Sequence, residues 1–226
     1  MSSVQNKFLI FLIVLCYIPV LFLGLFDIDE GAFATTSLQM IKQKQYLIPV
    51  IGDELRLEKP ILTYWVQVVS MYAFGANEFA LRAPSIFSSF IWAYCFSNFV
   101  KQHTLNVHRS EIFLNLMTLP GVFIISFAAT ADAFLNLFIT LLMINLYNYS
   151  IKKEDKLLIW SGIYVALGFL SKGLTIIAIC GTVSFVYFSL KGQLLNFFKV
   201  LFSWRAWLAF AIIVLPWFIF ILREIN

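Results

Sequence analysis

A chain of 226 residues that is 61% hydrophobic and only 12% charged, with a mean hydropathy of +0.88, carries more apolar surface than a water-soluble core could hide. Lipid is the solvent such a composition calls for. The net charge of +4 is scattered between apolar segments and forms no basic face, which excludes nucleic acid as a partner.

The first element is an apolar run from Phe8 to Phe26, longer than the apolar core of a secretory signal and followed by no small-x-small cleavage site, so it reads as an uncleaved first span. Windows able to cross about 30 Å of hydrocarbon recur at 83–100, 111–128, 132–150, 157–171, 173–190 and 206–222. These predict an all-α membrane protein, a single domain over 1–226 with about seven transmembrane helices. The fifth and sixth spans are separated only by Ser171-Lys172-Gly173, which predicts a tight helical hairpin. Cys16, Cys95 and Cys180 each lie inside an apolar stretch without a CxxC or a nearby His, which argues for packing rather than a disulfide or metal framework.

Residues 27–82 form the long loop after the first span, and two helices are expected to lie in it along the membrane surface. Over 31–44 the residues Phe33, Ala34, Leu38 and Ile41 share one face. The second helix, 60–74, opens with Pro60, and Gly52-Asp53 between the two reads as a turn. If 60–75 does not cross, the loops Lys101–Arg109, Lys152–Lys156 and Lys191–Arg205 all share the side of Lys7, as the positive-inside rule prefers. The same arrangement puts Asp27, Asp29, Glu30, Asp53, Glu54, Glu58, Glu78, Asp132 and Glu224 on the outer side. Acidic residues contribute little to orientation, so their gathering on one face suggests a site there.

Four constellations could carry chemistry. Asp27-Ile28-Asp29-Glu30 offers carboxylates at a low-dielectric edge, where they can serve as general bases; they can equally cap the next helix and favour its dipole. Glu54-Leu55-Arg56-Leu57-Glu58-Lys59-Pro60 holds a Lys at headgroup depth, suited to a lipid phosphate, although snorkelling of Arg56 and Lys59 explains the same pattern. Asp132 and Lys172 stand alone at span ends on that same side, where a lone charge can simply mark a boundary. Glu78 and Arg82, four apart, are expected to pair along one helix face, and His103 and His108 match no metal-ligand spacing.

Taken in order, Asp29-Glu30-Gly31, Glu58-Lys59-Pro60, Tyr64-Trp65, the stretch Phe74 to Ser85 (FGANEFALRAPS), Ala129 to Asp132 (ATAD), Gly168 to Gly173 (GFLSKG) and Leu215-Pro216-Trp217 resemble the integral-membrane GT-C glycosyltransferases. The resemblance is to those of the protein O-mannosyltransferase and lipid A aminoarabinose transferase type. It implies a GT-C-like fold in a bacterial inner membrane, with the active site facing the periplasm. It also implies transfer of a sugar from a polyprenyl-phosphate carrier to lipid A, a protein or another glycan. Asp29, with Glu30 in the same acidic motif, would then be the catalytic carboxylate, and Lys59 and Lys172 would contact the carrier phosphate. No cofactor is required, and Glu58 and Asp132 are the residues to test for a divalent metal ion.

Two departures bear on donor binding: Ala32 stands where the family often has a basic residue, and Ile61 where it often has a second Pro. Family members also continue with another outer loop and further helices, so the resemblance implies a donor-phosphate half-site in the 226 residues up to Asn226. A transporter or flippase is the rival reading, and it would place charges near mid-bilayer in paired halves. A non-catalytic membrane subunit is a third.

Overall fold

A computed structural model of the chain describes residues 3–104 and 107–225, the side chains of 3–7, 9, 10, 14 and 225 excepted. The Lys7 side chain, residues 105 and 106 of the Lys101–Arg109 loop, and Asn226 therefore lie outside the described residues. The fold is nearly all helical. It runs α1 (Ser3–Val20), α2 (Ile28–Gln43), a short hairpin of β1 (Val50–Ile51) and β2 (Glu54–Leu55), α3 (Leu62–Phe74), α4 (Glu78–His103), α5 (Arg109–Thr118) and α6 (Pro120–Phe127). There follow α7 (Asp132–Lys152), α8 (Asp155–Lys172), α9 (Thr175–Leu190), α10 (Leu194–Leu201) and α11 (Trp204–Ile225).

Local chemistry sets most boundaries. α2 begins three residues before the expected position, with Asp29 and Glu30 in its first turn, where carboxylates oppose the helix dipole favourably. The hairpin turns at Gly52-Asp53, and Gly52 takes a φ of +62° that disfavours side chains. Gln39 clasps this turn from α2, donating to the Gly52 carbonyl at 2.6 Å and accepting from its N–H at 3.0 Å. Gly173, at φ +63°, closes the expected hairpin between α8 and α9.

The span expected over 111–128 is not one straight rod. Pro120 lacks an N–H and holds Leu119 in the extended region (φ −63°, ψ 127°), so the segment breaks into α5 and α6, bent by 76°. The helix of the first span stops at Val20, ahead of turns at 21–23. By length and composition, α7 and the 31-residue stretch Leu194–Glu224 can each cross a bilayer, and the bent pair α5–α6 qualifies as a third candidate.

Helix packing defines two ends. At one, Arg205 of α11 pairs with Asp155 of α8, and Tyr147 of α7 stacks edge-on against Phe99 and His103 of α4 at 5.1 and 4.9 Å. The cations Lys101, Lys152, Lys156, Lys191 and Arg205 belong to the helix termini of this end. At the other end α2, the hairpin and α3 cap the bundle. Phe33, Tyr64 and Val68 meet Ala166 and Leu170 of α8 and Trp217 of α11 in a single apolar core. The Trp217 indole N–H donates to the Leu47 carbonyl at 2.9 Å and ties α11 to this cap. Between the ends, α8 and α11 touch backbone to backbone: a Cβ on Gly162 would lie 2.1 Å from the Ala206 carbonyl oxygen.

Candidate functional site

The capped end is organised around Glu30 and Arg82, both of them fully buried. Arg82 uses all five of its N–H donors. Nε and Nη2 reach the two Glu30 oxygens at 3.2 and 3.0 Å, Nη1 reaches the carbonyls of Val20 (2.7 Å) and Leu23, and Nη2 also reaches that of Gly24 (3.0 Å). Glu30 also accepts from the Phe26 N–H at 3.1 Å and the Ala129 N–H at 2.7 Å. A charge pair excluded from water survives only when its remaining hydrogen-bonding capacity is filled, and here it is. The pairing of Arg82 with Glu78 expected from their spacing is not formed: Glu78 is exposed in the first turn of α4, while Arg82 points inward.

Glu30 is thus a framework residue by its position, with both oxygens engaged and no exposed surface. Its neighbour Asp29 is exposed and free of any ion pair among the described residues. The frame therefore holds the start of α2 rigid and presents the Asp29 carboxylate outward.

The same frame fixes the segment before α7. The Ala129 N–H is held by Glu30, and its carbonyl accepts from Gln67 Nε2 at 2.9 Å. Gln67 Oε1 in turn accepts from the Ser37 hydroxyl at 2.7 Å, so α2, α3 and Ala129 are locked through one side chain. Three residues on, Asp132 opens α7 and forms an ion pair with Lys172 from the end of α8. The Thr130 hydroxyl donates to the other Asp132 oxygen at 3.3 Å. Neither Gln67 nor Ser37 stood out in the sequence, because a polar residue on an apolar helix announces burial without naming its partner.

Lys59 is half-buried and Glu58 exposed, just ahead of Pro60. Pro60 lies against Gly173, whose Cβ position is 4.0 Å from Pro60 Cγ, so the Lys59-Pro60 and Lys172-Gly173 pairs are brought side by side. The Tyr64 hydroxyl, on the first turn of α3, is pushed up to about 12 by burial; Arg56 opposes the shift, while Glu58 and Asp29 reinforce it. These three charges therefore act on one buried hydroxyl. Arg56 departs from the snorkelling expected of it: the residue is only 7% exposed, with its guanidinium 5.2 Å from the Phe33 ring centre.

All six residues singled out from the sequence thus lie at the capped end, in three arrangements: Glu30 in the frame, Asp132 paired with Lys172, and Asp29, Glu58 and Lys59 unpaired among the described residues. A metal centre does not fit this donor set. Asp132 is turned to an ammonium group, and no group of three or more His, Cys, Asp or Glu side chains converges among the described residues.

Residues 58–220 match the family model described as dolichyl-phosphate-mannose-protein mannosyltransferase. Among curated proteins, the chain is similar to undecaprenyl phosphate-alpha-4-amino-4-deoxy-L-arabinose arabinosyl transferases. That of Wigglesworthia glossinidia brevipalpis is 31% identical over 72% of this chain and 30% of the relative. That of Proteus mirabilis is 28% identical over 94% and 39%, respectively. The fold resembles ArnT from Cupriavidus metallidurans in its apo state, with a TM-score of 0.82 at 20% identity over 97% of this chain and 42% of that one. It also resembles the same protein bound to undecaprenyl phosphate, with a TM-score of 0.79 at 20% identity over 93% and 41%. The chain spans about two fifths or less of the length of each.

Proposed function

Because the chain belongs to the dolichyl-phosphate-mannose-protein mannosyltransferase family, we propose that it forms the donor-phosphate part of a glycosyltransferase site. In this reading a sugar passes from a polyprenyl-phosphate carrier to a lipid, protein or glycan acceptor, with lipid A among the lipid candidates. The protein crosses the inner membrane seven times, and the α2–α3 cap faces the periplasm. The concentration of Lys101, Lys152, Lys156, Lys191 and Arg205 at the opposite end supports that orientation.

The observation that carries the reading is the exposed Asp29 carboxylate beside the buried Glu30–Arg82 frame, at the same end as Lys59 and Lys172. The reaction is an inverting displacement. An acceptor oxygen attacks the anomeric carbon, its proton goes to Asp29, and the bond from that carbon to the carrier phosphate oxygen breaks. The carrier departs as a phosphate monoester whose growing negative charge is met by Lys59 and Lys172. Lysine ammonium groups supply this neutralisation without a metal ion. Lys172 does so while exchanging its contact with Asp132, a pair that is about one third exposed and so open to a competing anion.

The test is transfer of radiolabelled sugar from a polyprenyl-phosphate donor in membranes carrying the protein. Asp29→Asn should abolish transfer without weakening carrier binding, and Lys59→Ala should weaken binding. Parental transfer rates in Asp29→Asn would remove Asp29 from the mechanism.

A further inference from the structure

Arg56 is a nearly buried cation at this end that the mechanism above does not use. A guanidinium is expensive to withdraw from water unless a carboxylate or a set of carbonyls receives it. Arg82 shows that solution in full. Arg56 is held differently: it is 7% exposed, forms no ion pair among the described residues, and its guanidinium carbon lies 5.2 Å from the Phe33 ring centre. A ring face compensates a desolvated cation only in part.

Beside it stands an unsatisfied group. Tyr64 is fully buried, its ring centre is 5.1 Å from that of Phe33, and its hydroxyl has no hydrogen-bond partner. Arg56 and Tyr64 therefore flank one aromatic ring, the guanidinium without an ion pair among the described residues and the hydroxyl without a hydrogen-bond partner. Their sequence neighbours are the carboxylate and ammonium of Glu58 and Lys59, and Asp29 acts on the same hydroxyl.

We propose that Arg56 and Tyr64 form an oxyanion subsite of the phosphate class, the guanidinium gripping two oxygens and the phenol donating to a third. The proposal deepens the donor reading and rests on it for the source of the phosphate, either the carrier itself or a phosphate on the acceptor. A planar fork matches the tetrahedral edge of a phosphate better than a lysine point charge can. The phenol remains protonated, and hence a donor, throughout the physiological range, because burial and the nearby carboxylates hold its proton in place.

Binding of undecaprenyl phosphate, undecaprenol and inorganic phosphate to the purified chain in detergent tests this, with Arg56→Gln, Arg56→Lys, Tyr64→Phe and Lys59→Ala variants of unchanged thermal unfolding. Arg56→Gln should lose about tenfold or more in affinity for undecaprenyl phosphate and nothing for undecaprenol, with Arg56→Lys in between. Tyr64→Phe should lose severalfold. If Arg56→Gln binds within twofold of the parent while Lys59→Ala is impaired, the subsite is overturned and the donor reading stands. If the parent prefers undecaprenyl phosphate no more than undecaprenol, the donor reading falls. Phosphate binding that still depends on Arg56 would then assign the subsite to an acceptor phosphate, and its absence would overturn the subsite as well.

Discussion

Glu30 and Arg82 are 52 residues apart in sequence and meet through two N–H···O contacts of 3.2 and 3.0 Å with no exposed surface on either side chain. Removing one partner strands the other charge in a dry site, so Arg82→Met or Glu30→Leu should each cost about 3–5 kcal/mol, read as a fall in detergent thermal stability. Many buried ion pairs can be exchanged for apolar pairs at little cost. Here the carbonyls of Val20, Leu23 and Gly24 and the N–H groups of Phe26 and Ala129 depend on the pair, so the double variant should remain unstable.

Gln67 performs a smaller version of the same task. Gln67→Leu leaves the Ala129 carbonyl and the Ser37 hydroxyl without their partner and should cost about 1–3 kcal/mol. Gln67→Glu should be worse than Gln67→Leu, since a carboxylate facing the Ala129 carbonyl replaces a donor with an acceptor.

Features that depend on local chemistry were legible in the sequence: the Gly52-Asp53 turn, the break at Gly173 and the acidic start of α2 all follow from what single residues permit. Arg82 shows where such reasoning stops. Its nearest opposite charge along the helix is Glu78, yet the residue faces inward, where Glu30 and three carbonyls converge from another part of the chain. Arg56 misled for the same reason, because an Arg in an alternating charged segment gives no sign of whether its guanidinium reaches water or a ring. The bend at Leu119-Pro120 was carried by Pro120, whose missing N–H outweighs an otherwise continuous apolar run.

Two glycines in α8 should respond differently to the same substitution. At Gly162 a new methyl group would sit 2.1 Å from the Ala206 carbonyl oxygen and 2.8 Å from its carbonyl carbon, so α8 and α11 must separate. At Gly168 the obstacle at 2.1 Å is Cδ1 of Ile176, the far end of a side chain rather than backbone, with its Cβ and Cγ1 at 3.2 Å. Gly162→Ala should therefore destabilise by about 1–3 kcal/mol and Gly168→Ala by less, in thermal unfolding of the two variants side by side.

The orientation proposed for the bundle is open to direct labelling. In a background lacking Cys16, Cys95 and Cys180, cysteines introduced as Asp53→Cys and Asp132→Cys should react with a membrane-impermeant thiol reagent from the periplasmic side. Lys153→Cys, at the other end of α7, should react from the cytoplasm only. Labelling of Asp53→Cys from the cytoplasm alone would invert the topology.

Asp132 and Lys172 are paired at side-chain exposures of 37% and 31%, shallow enough for solvent to weaken the attraction, so Asp132→Asn should change stability by less than about 1 kcal/mol. Its functional effect has a sign that separates two roles. If Lys172 serves the carrier phosphate, Asp132 competes with that phosphate for the ammonium group, and Asp132→Asn should raise affinity for undecaprenyl phosphate while Lys172→Ala lowers it. If Asp132 instead held a divalent ion together with Glu58, Asp132→Asn would lower affinity, and a chelator would do the same to the parent. The side-chain contacts favour the first outcome, since Asp132 is already turned to Lys172 and to the Thr130 hydroxyl.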